Sequence, residues 1–217
     1  RYHEYFGERS ETWSYLKVPY YRPLGYSRGM YRVGPLARVN ICDRIPTPLA
    51  EEERRRFKKL AGEAGAQNNS FYYHYARLIE LLFAVEQTER LLNDPAVLGT
   101  TVRSKAMINR EEGVGAVEAP RGVLFHHYRV DENGVLQSVN MLIATAQNNL
   151  AMNRTVTQLA TQFIDSSRIT EGALNRVEAG IRCFDPCLSC STHAMGQMPL
   201  HLQLFDSEGI LLDEVRR

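Results

Sequence analysis

Cys183, Cys187, Cys190 and His193 crowd one short stretch near the carboxyl end of the chain, and this cluster limits what the surrounding backbone can do. Within Asp185-Pro186-Cys187-Leu188-Ser189-Cys190-Ser191-Thr192-His193 the two thiols stand at i and i+3 and the imidazole at i+6. On a helix these three groups converge on one point. Asp185 suits the N-cap and Pro186 the first helical position. Cys187 and Cys190 would then lie near a helix start, where the dipole favours thiolates. Soft, closely spaced thiolates are the donors a late transition metal prefers.

Spacing alone allows more than one chemistry. Cys183, Cys187, Cys190 and His193 together form a Cys-x3-Cys-x2-Cys-x2-His set, which fits a structural zinc site with three sulfurs and one nitrogen. The Cys-x3-Cys-x2-Cys part has the spacing of radical SAM enzymes, but there the motif comes early with a barrel still to follow. Here only Ser191 to Arg217 remains, so that reading fails. A c-type haem needs histidine where Ser191 stands, and no βαβ pattern supports a thioredoxin-like pair.

The charge balance is nearly even, 26 Lys and Arg against 25 Asp and Glu. It implies no nucleic-acid partner and no acidic membrane surface. No apolar run approaches the roughly 20 residues of a spanning helix. The chain opens with Arg1-Tyr2-His3-Glu4 and no initiating Met, so it reads as a fragment. Cysteines gathered mostly in one motif point to metal binding in a reducing compartment instead of a disulfide framework.

Local pattern predicts a helix-dominated α+β fold. Residues 1–46 are rich in Tyr, Gly and Pro and predict extended segments and turns, with Tyr15, Tyr20, Tyr21, Tyr26 and Tyr31 as packing aromatics. A helix is expected after Pro46-Thr47-Pro48, its Glu51-to-Lys59 charges ordered to suit the macrodipole and forming a solvated face. The clearest helix runs from about Ser70 to Asn93, with Phe71, Tyr75, Leu78, Leu82 and Val85 as its apolar stripe. Residues 123–143 predict a β-hairpin whose Asn133-Gly134 turn supplies positive φ angles. Further helices are expected from about Asn149 to Asp165, with Val156, Leu159, Ala160 and Phe163 inward, and from Glu171 to Arg182. His74 reads as a packed histidine, and Cys183 as a small buried packing residue.

Three motifs taken together carry more than any one alone. Val117-Glu118-Ala119-Pro120-Arg121-Gly122, Ala144-Thr145-Ala146-Gln147-Asn148-Asn149-Leu150 and the Asp185-to-His193 segment occur in an order and spacing that resembles the C-terminal half of the large, catalytic subunit of [NiFe] hydrogenases. Tyr15-Leu16-Lys17 through Tyr31-Arg32-Val33-Gly34-Pro35-Leu36-Ala37-Arg38 is similar to the same family. Phe125-His126-His127-Tyr128 looks most like its cytoplasmic, NAD-reducing (bidirectional) branch. The family's N-terminal half carries a second Cys-x2-Cys pair that is absent here.

The resemblance implies roles for individual residues. Cys187 would bind nickel terminally, and Cys190 would bridge nickel and an iron that carries carbon monoxide and cyanide. Dihydrogen would split heterolytically at this Ni–Fe centre, with Cys187 the first proton acceptor. Arg121 would stand over the open position between the metals; a guanidinium is rarely deprotonated, so its expected role is electrostatic. Asp185 would pair with Arg121 and cap its own helix. Pro120 and Thr145 would contact the iron cyanides, although Gln147-Asn148-Asn149 departs from the family's commoner Trp-Asn pattern. His193 and the backbone carbonyl of Leu150 would hold a magnesium ion, an unusual site for a cation that prefers oxygen donors. His126 would stand behind the thiolates, and His127 reads as a satisfied polar residue.

The same resemblance divides the chain into residues 1–193, a part of the large subunit, and 194–217, a C-terminal extension cut off by a maturation endopeptidase after nickel-insertion proteins have acted. Electrons would leave through a small subunit with Fe–S clusters and a flavin-containing diaphorase that reduces NAD. Rival readings are a relative with a deazaflavin or heterodisulfide reductase acceptor, a metal-free complex I-type relative, and a non-enzymatic zinc-stabilised Cys3His module.

Overall fold

The computed structural model describes residues 5–10, 12, 17–62, 65–104, 110–187 and 200–216. The chain divides into two compact units, Gly34–Leu142 and Arg1–Val33 with Ile143–Arg217.

In the Gly34–Leu142 unit, α2 (Pro35–Ile41) and α3 (Pro48–Lys59) both pack on α4 (Tyr72–Leu92). Helix α2 is absent from the sequence expectations, because seven residues behind a Gly-Pro are too short to show a period. Its Pro35 fills the first turn, where a missing N–H costs nothing. The start of α3 is satisfied from outside: Glu86 of α4 accepts hydrogen bonds from the Leu49 and Ala50 amides, both at 3.0 Å. That carboxylate sits at the positive end of the helix dipole.

Helix α4 forms where expected, but it buries a different face. Tyr73, Ala76 and Ile79 are inside, whereas Phe71 is 65% exposed, Leu78 62% and Val85 59%. The helix is apolar on most sides, so periodicity cannot choose among its faces. Ala76 is small enough for a neighbouring helix to approach closely, and that approach decides. The charged run on α3 is also corrected. Arg54 is buried, its Nε 2.7 Å from Glu51 Oε2, and Glu51 accepts the Ile45 amide at 2.8 Å. Half of the supposed solvated face therefore turns inward and ties down the preceding loop.

The same unit carries a three-stranded antiparallel sheet in the order β3-β4-β5 (Glu112–Ala119, Gly122–Val130, Leu136–Leu142). Strands β4 and β5 are the expected hairpin. Their turn differs from the expectation: Gly134 has a φ of 80°, whereas Asn133 stays on the negative side. Asp131 closes the loop instead, its Oδ1 accepting from the Asn133 and Val135 amides at 2.9 Å. Strand β3 is an addition. Its Glu, Gly and Ala content is poor in strand formers, and it forms by pairing with β4 from Glu112↔Arg129 to Ala119↔Gly122.

In the other unit, β1 (Phe6–Ser10) pairs antiparallel with β2 (Lys17–Tyr21), followed by a short α1 (Gly25–Arg28). Tyr20 meets Tyr26 edge-on at 5.4 Å, and Phe6 meets Tyr31 at 6.1 Å, so the aromatics pack largely on one another. Helices α5 (Ala144–Phe163) and α6 (Glu171–Cys183) pack together. Gly180 permits this approach, since a Cβ there would lie 2.3 Å from Leu159 Cδ1. Helix α5 begins earlier than expected and is buried at its start, through Thr145, Ala146, Gln147 and Asn148, more than at Val156 or Phe163. Strands β6 (His201–Phe205) and β7 (Leu211–Arg216) form a hairpin, and Asp213 Oδ2 accepts the Ile169 amide at 2.7 Å just before α6. No helix among the described residues is long and apolar enough to cross a membrane.

Candidate functional site

Cys187 follows shortly after the end of α6, half-buried, and the backbone between is held in an unusual way. Phe184 is the C-cap of α6 and Asp185 follows with φ 49°, the left-handed region. Its amide donates to Arg182 O at 3.0 Å. Asp185 therefore ends the preceding helix in the manner usually left to glycine. An N-cap has an extended backbone, so the expected capping of a following helix by Asp185 is corrected. Proline at 186 adds to the cost, because the residue before proline is pushed toward extended backbone.

The Cys187 amide donates to Thr145 Oγ1 at 3.3 Å. Thr145 is buried in the first turn of α5, so Cys187 sits beside the start of that helix, where backbone N–H groups favour negative charge. The sequence had placed the cysteine at a helix start of its own. Cys190 and His193 lie outside the described residues.

Behind Thr145 the first turn of α5 is polar yet buried. Asn148 Oδ1 accepts the Val33 amide at 2.9 Å and its Nδ2 donates to Val33 O at 3.2 Å. Tyr31 O–H donates to Gln147 Oε1 at 3.1 Å. These bonds satisfy the buried amides and fix the start of α5 against the segment ending at Val33. Leu150 lies in the interior of α5, where a carbonyl ordinarily accepts from the amide four residues on. Cys183 is a buried free thiol, its S–H directed at Ala179 O at 3.2 Å, as the packing reading expects.

In the Gly34–Leu142 unit, Pro120 and Arg121 form the two-residue turn between β3 and β4, with Ala119 opposite Gly122. Such hairpins favour turns with positive φ at the first central residue. Proline is locked near −65° and cannot supply it. This turn needs outside support, and Arg38 of α2 provides it. Its Nε and Nη2 meet the two Glu80 oxygens at 2.6 Å each. Its Nη1 donates to Ala119 O at 2.8 Å and to Glu118 Oε1, and its Nη2 to Pro120 O at 2.8 Å. All five N–H donors of the guanidinium are engaged. Burial, the largest single influence, works against its charge, but the hydrogen bonds and charges of Glu80 and Glu118 together hold its pKa above the ordinary value.

Gly34, with φ 97°, stands at the start of the same helix, and a Cβ there would come within 2.6 Å of Arg121 O. Arg38, Glu80 and Gly34 were missed by the sequence reading. The signal was the Gly34-Pro35-Leu36-Ala37-Arg38 run, where Gly34 and Arg38 are one helical turn apart. Elsewhere on β4, His126 Nδ1 contacts Tyr128 Oη, and His127 Nε2 pairs with Glu112 at 2.7 Å. His127 is a satisfied polar residue, as expected. His74 packs edge-on against Phe71 at 5.4 Å.

The donor chemistry fits a soft metal. Cys187 offers a sulfur with its backbone anchored, and the other thiol of the motif follows three residues later in sequence.

The family profile of nickel-dependent hydrogenases matches residues 1–193. The chain is 48% identical to the NAD-reducing hydrogenase HoxS subunit beta of Cupriavidus necator, over 100% of this chain and 45% of that protein. It is 39% identical to the vhc F420-non-reducing hydrogenase of Methanococcus voltae, over 96% of this chain and 44% of that protein. A crystal structure of NAD+-reducing [NiFe]-hydrogenase in the H2-reduced state superposes with a TM-score of 0.80 and 42% identity, covering 88% of this chain and 42% of that one. The chain spans less than half the length of each of these relatives.

Proposed function

This chain belongs to the nickel-dependent hydrogenase family, and from that premise we propose that it is part of a catalytic subunit that interconverts dihydrogen with protons and electrons. The match across residues 1–193, which includes the Cys187-to-His193 motif, carries the reading. A bound nickel–iron centre supplies the Lewis-acid and redox chemistry that polarises dihydrogen.

This chain's own residues bind, orient and move protons. Cys187 and Cys190 would hold the nickel as thiolates, with Cys190 the sulfur shared with an iron whose ligands would be carbon monoxide and cyanide. With nickel bound, the Cys187 sulfur would be the group that takes the first proton. Arg121 contributes fixed positive charge, and its always-protonated guanidinium argues for orientation over base catalysis. The resemblance gives Asp185 the role of orienting Arg121, and Pro120 and Thr145 would shape the surroundings of the cyanides. In Thr145 the oxygen that accepts the Cys187 amide still has its own proton to donate. His193 and Leu150 O would hold the magnesium ion that the resemblance implies.

The electron acceptor is NAD, reached through a small subunit with Fe–S clusters and a flavin-containing diaphorase; the 48% identity to an NAD-reducing enzyme supports this. The complete protein works in the cytoplasm. The family match stops at residue 193, in keeping with residues 194–217 as an extension that an endopeptidase removes after nickel insertion. Mass spectrometry of the active protein would then find His193 as the last residue; an active form ending at Arg217 refutes the cleavage.

Elemental analysis and infrared spectroscopy of the complete protein, purified from its native host, test the central claim. Nickel with iron, and absorption from iron-bound carbonyl and cyanide, are expected. Zinc alone would replace it with the Cys3His module, and reduction of an acceptor other than NAD by the purified complex would leave the hydrogenase but change its partner.

A further inference from the structure

We propose that Arg38 is a positioning residue for Arg121, holding the β3–β4 turn in the one backbone arrangement from which the Arg121 side chain can act. The inference rests on the hydrogenase reading for its consequence, but the clamp itself rests on geometry within one unit.

Three observations converge. A Pro120-Arg121 turn cannot adopt the twist that stabilises ordinary two-residue hairpins, since its first central residue has no access to positive φ. Arg38 holds the carbonyls of Ala119 and Pro120, the two peptide oxygens immediately before Arg121. Gly34 meets the carbonyl of Arg121 itself, at a distance no Cβ would allow. The peptide groups on both sides of the Arg121 Cα thus lie against one helix, α2, the first through hydrogen bonds from Arg38 and the second through close packing on Gly34. Glu80 in turn anchors the guanidinium to α4 through both its oxygens, so the clamp is tied to a 21-residue helix and not to another loop.

Only arginine satisfies this arrangement. A planar fork with five donors can bridge a bidentate carboxylate, a second carboxylate and two carbonyls at once. A lysine ammonium keeps the charge, but its three donors on a flexible stem cannot span the same acceptors. Charge alone would make the two interchangeable; the geometry makes them different.

The test uses Arg38→Lys and, as a milder disturbance, Glu80→Gln, each in the complete hydrogenase complex beside the wild type. Four quantities are read: metal content, H2-oxidation kinetics, the cyanide stretching frequencies, and deuterium uptake at the amides of Glu118, Ala119, Arg121 and Gly122, Pro120 having none. We expect nickel and iron to be retained, kcat to fall roughly 10- to 100-fold as for a displaced catalytic group, and KM for H2 to change little. The cyanide bands should shift and the turn amides exchange faster, with Glu80→Gln smaller in each respect.

Unchanged deuterium uptake in Arg38→Lys overturns the clamp. Faster uptake with wild-type turnover and cyanide frequencies overturns the positioning role, as does loss of turnover in proportion to lost metal in both variants. A wild type without carbonyl and cyanide bands would instead defeat the hydrogenase reading, and the exchange data would still decide the clamp.

Discussion

The amide of Cys187 donates to the hydroxyl of Thr145 at 3.3 Å, across 42 residues of chain. This bond fixes where the first sulfur of the motif stands, because it ties the segment leaving α6 to the first turn of α5.

Thr145→Val keeps the shape and removes the acceptor. The lost hydrogen bond should cost about 0.5–1.5 kcal/mol, seen in denaturant unfolding. Nickel retention should weaken in the same variant, and Thr145→Ser should restore both. Normal nickel content and stability in Thr145→Val would show that the bond does not matter.

Cys187→Ser replaces a soft donor with a hard one, which a late transition metal disfavours. Nickel in the complete, reduced protein should drop to background and H2 turnover with it. Full nickel occupancy by elemental analysis would remove Cys187 from the ligand set.

Asp185 separates backbone strain from chemistry. A non-glycine in the left-handed region costs about 1 kcal/mol or more, so Asp185→Gly should leave the melting temperature equal or higher. Asp185→Asn tolerates the same φ and is nearly isosteric. Both should lose turnover if the carboxylate orients Arg121. Wild-type kcat in Asp185→Asn would make Asp185 a turn residue and nothing more.

Glu51 makes the Gly34–Leu142 unit acid-sensitive. Its hydrogen bond from Arg54 is the largest influence and, with the Ile45 amide and Arg55, it outweighs burial and lowers the pKa from 4.5 to about 2. A carboxylate with a depressed folded pKa binds protons more readily when unfolded. Its contribution is therefore complete above the unfolded value near 4.5 and is lost as pH falls toward about 2. Glu51→Gln should destabilise by roughly 1–3 kcal/mol at neutral pH and flatten the response across that window. An unchanged pH profile by denaturant titration would contradict this.

Gly34→Ala puts a Cβ where the Arg121 carbonyl stands and demands φ 97° of an alanine. Both effects act in one direction, so a loss above about 1 kcal/mol is expected. A variant as stable as wild type would mean that α2 and the β3–β4 turn can separate freely.

Local features were readable without coordinates. The helix behind Pro46-Thr47-Pro48, the helix from Glu171 and the two strands flanking Asn133-Gly134 depend on near neighbours, so their residue types announce them. The failures share one cause. Helix α4 offers apolar side chains on several faces, and only packing selects Tyr73, Ala76 and Ile79. Strand β3 has weak propensity and exists because β4 pairs with it.

By itself the sequence determined the family, the longer helices and the β4–β5 hairpin, because these follow from residue type and short-range spacing. The tertiary structure alone decided that Arg38 grips a turn about 80 residues away, that Thr145 holds Cys187, and that Asp185 ends one helix and does not begin another. Hydrogen bonds of this kind need donor and acceptor brought together at fixed distance and angle. Only a packed backbone, not a pattern along the chain, sets those.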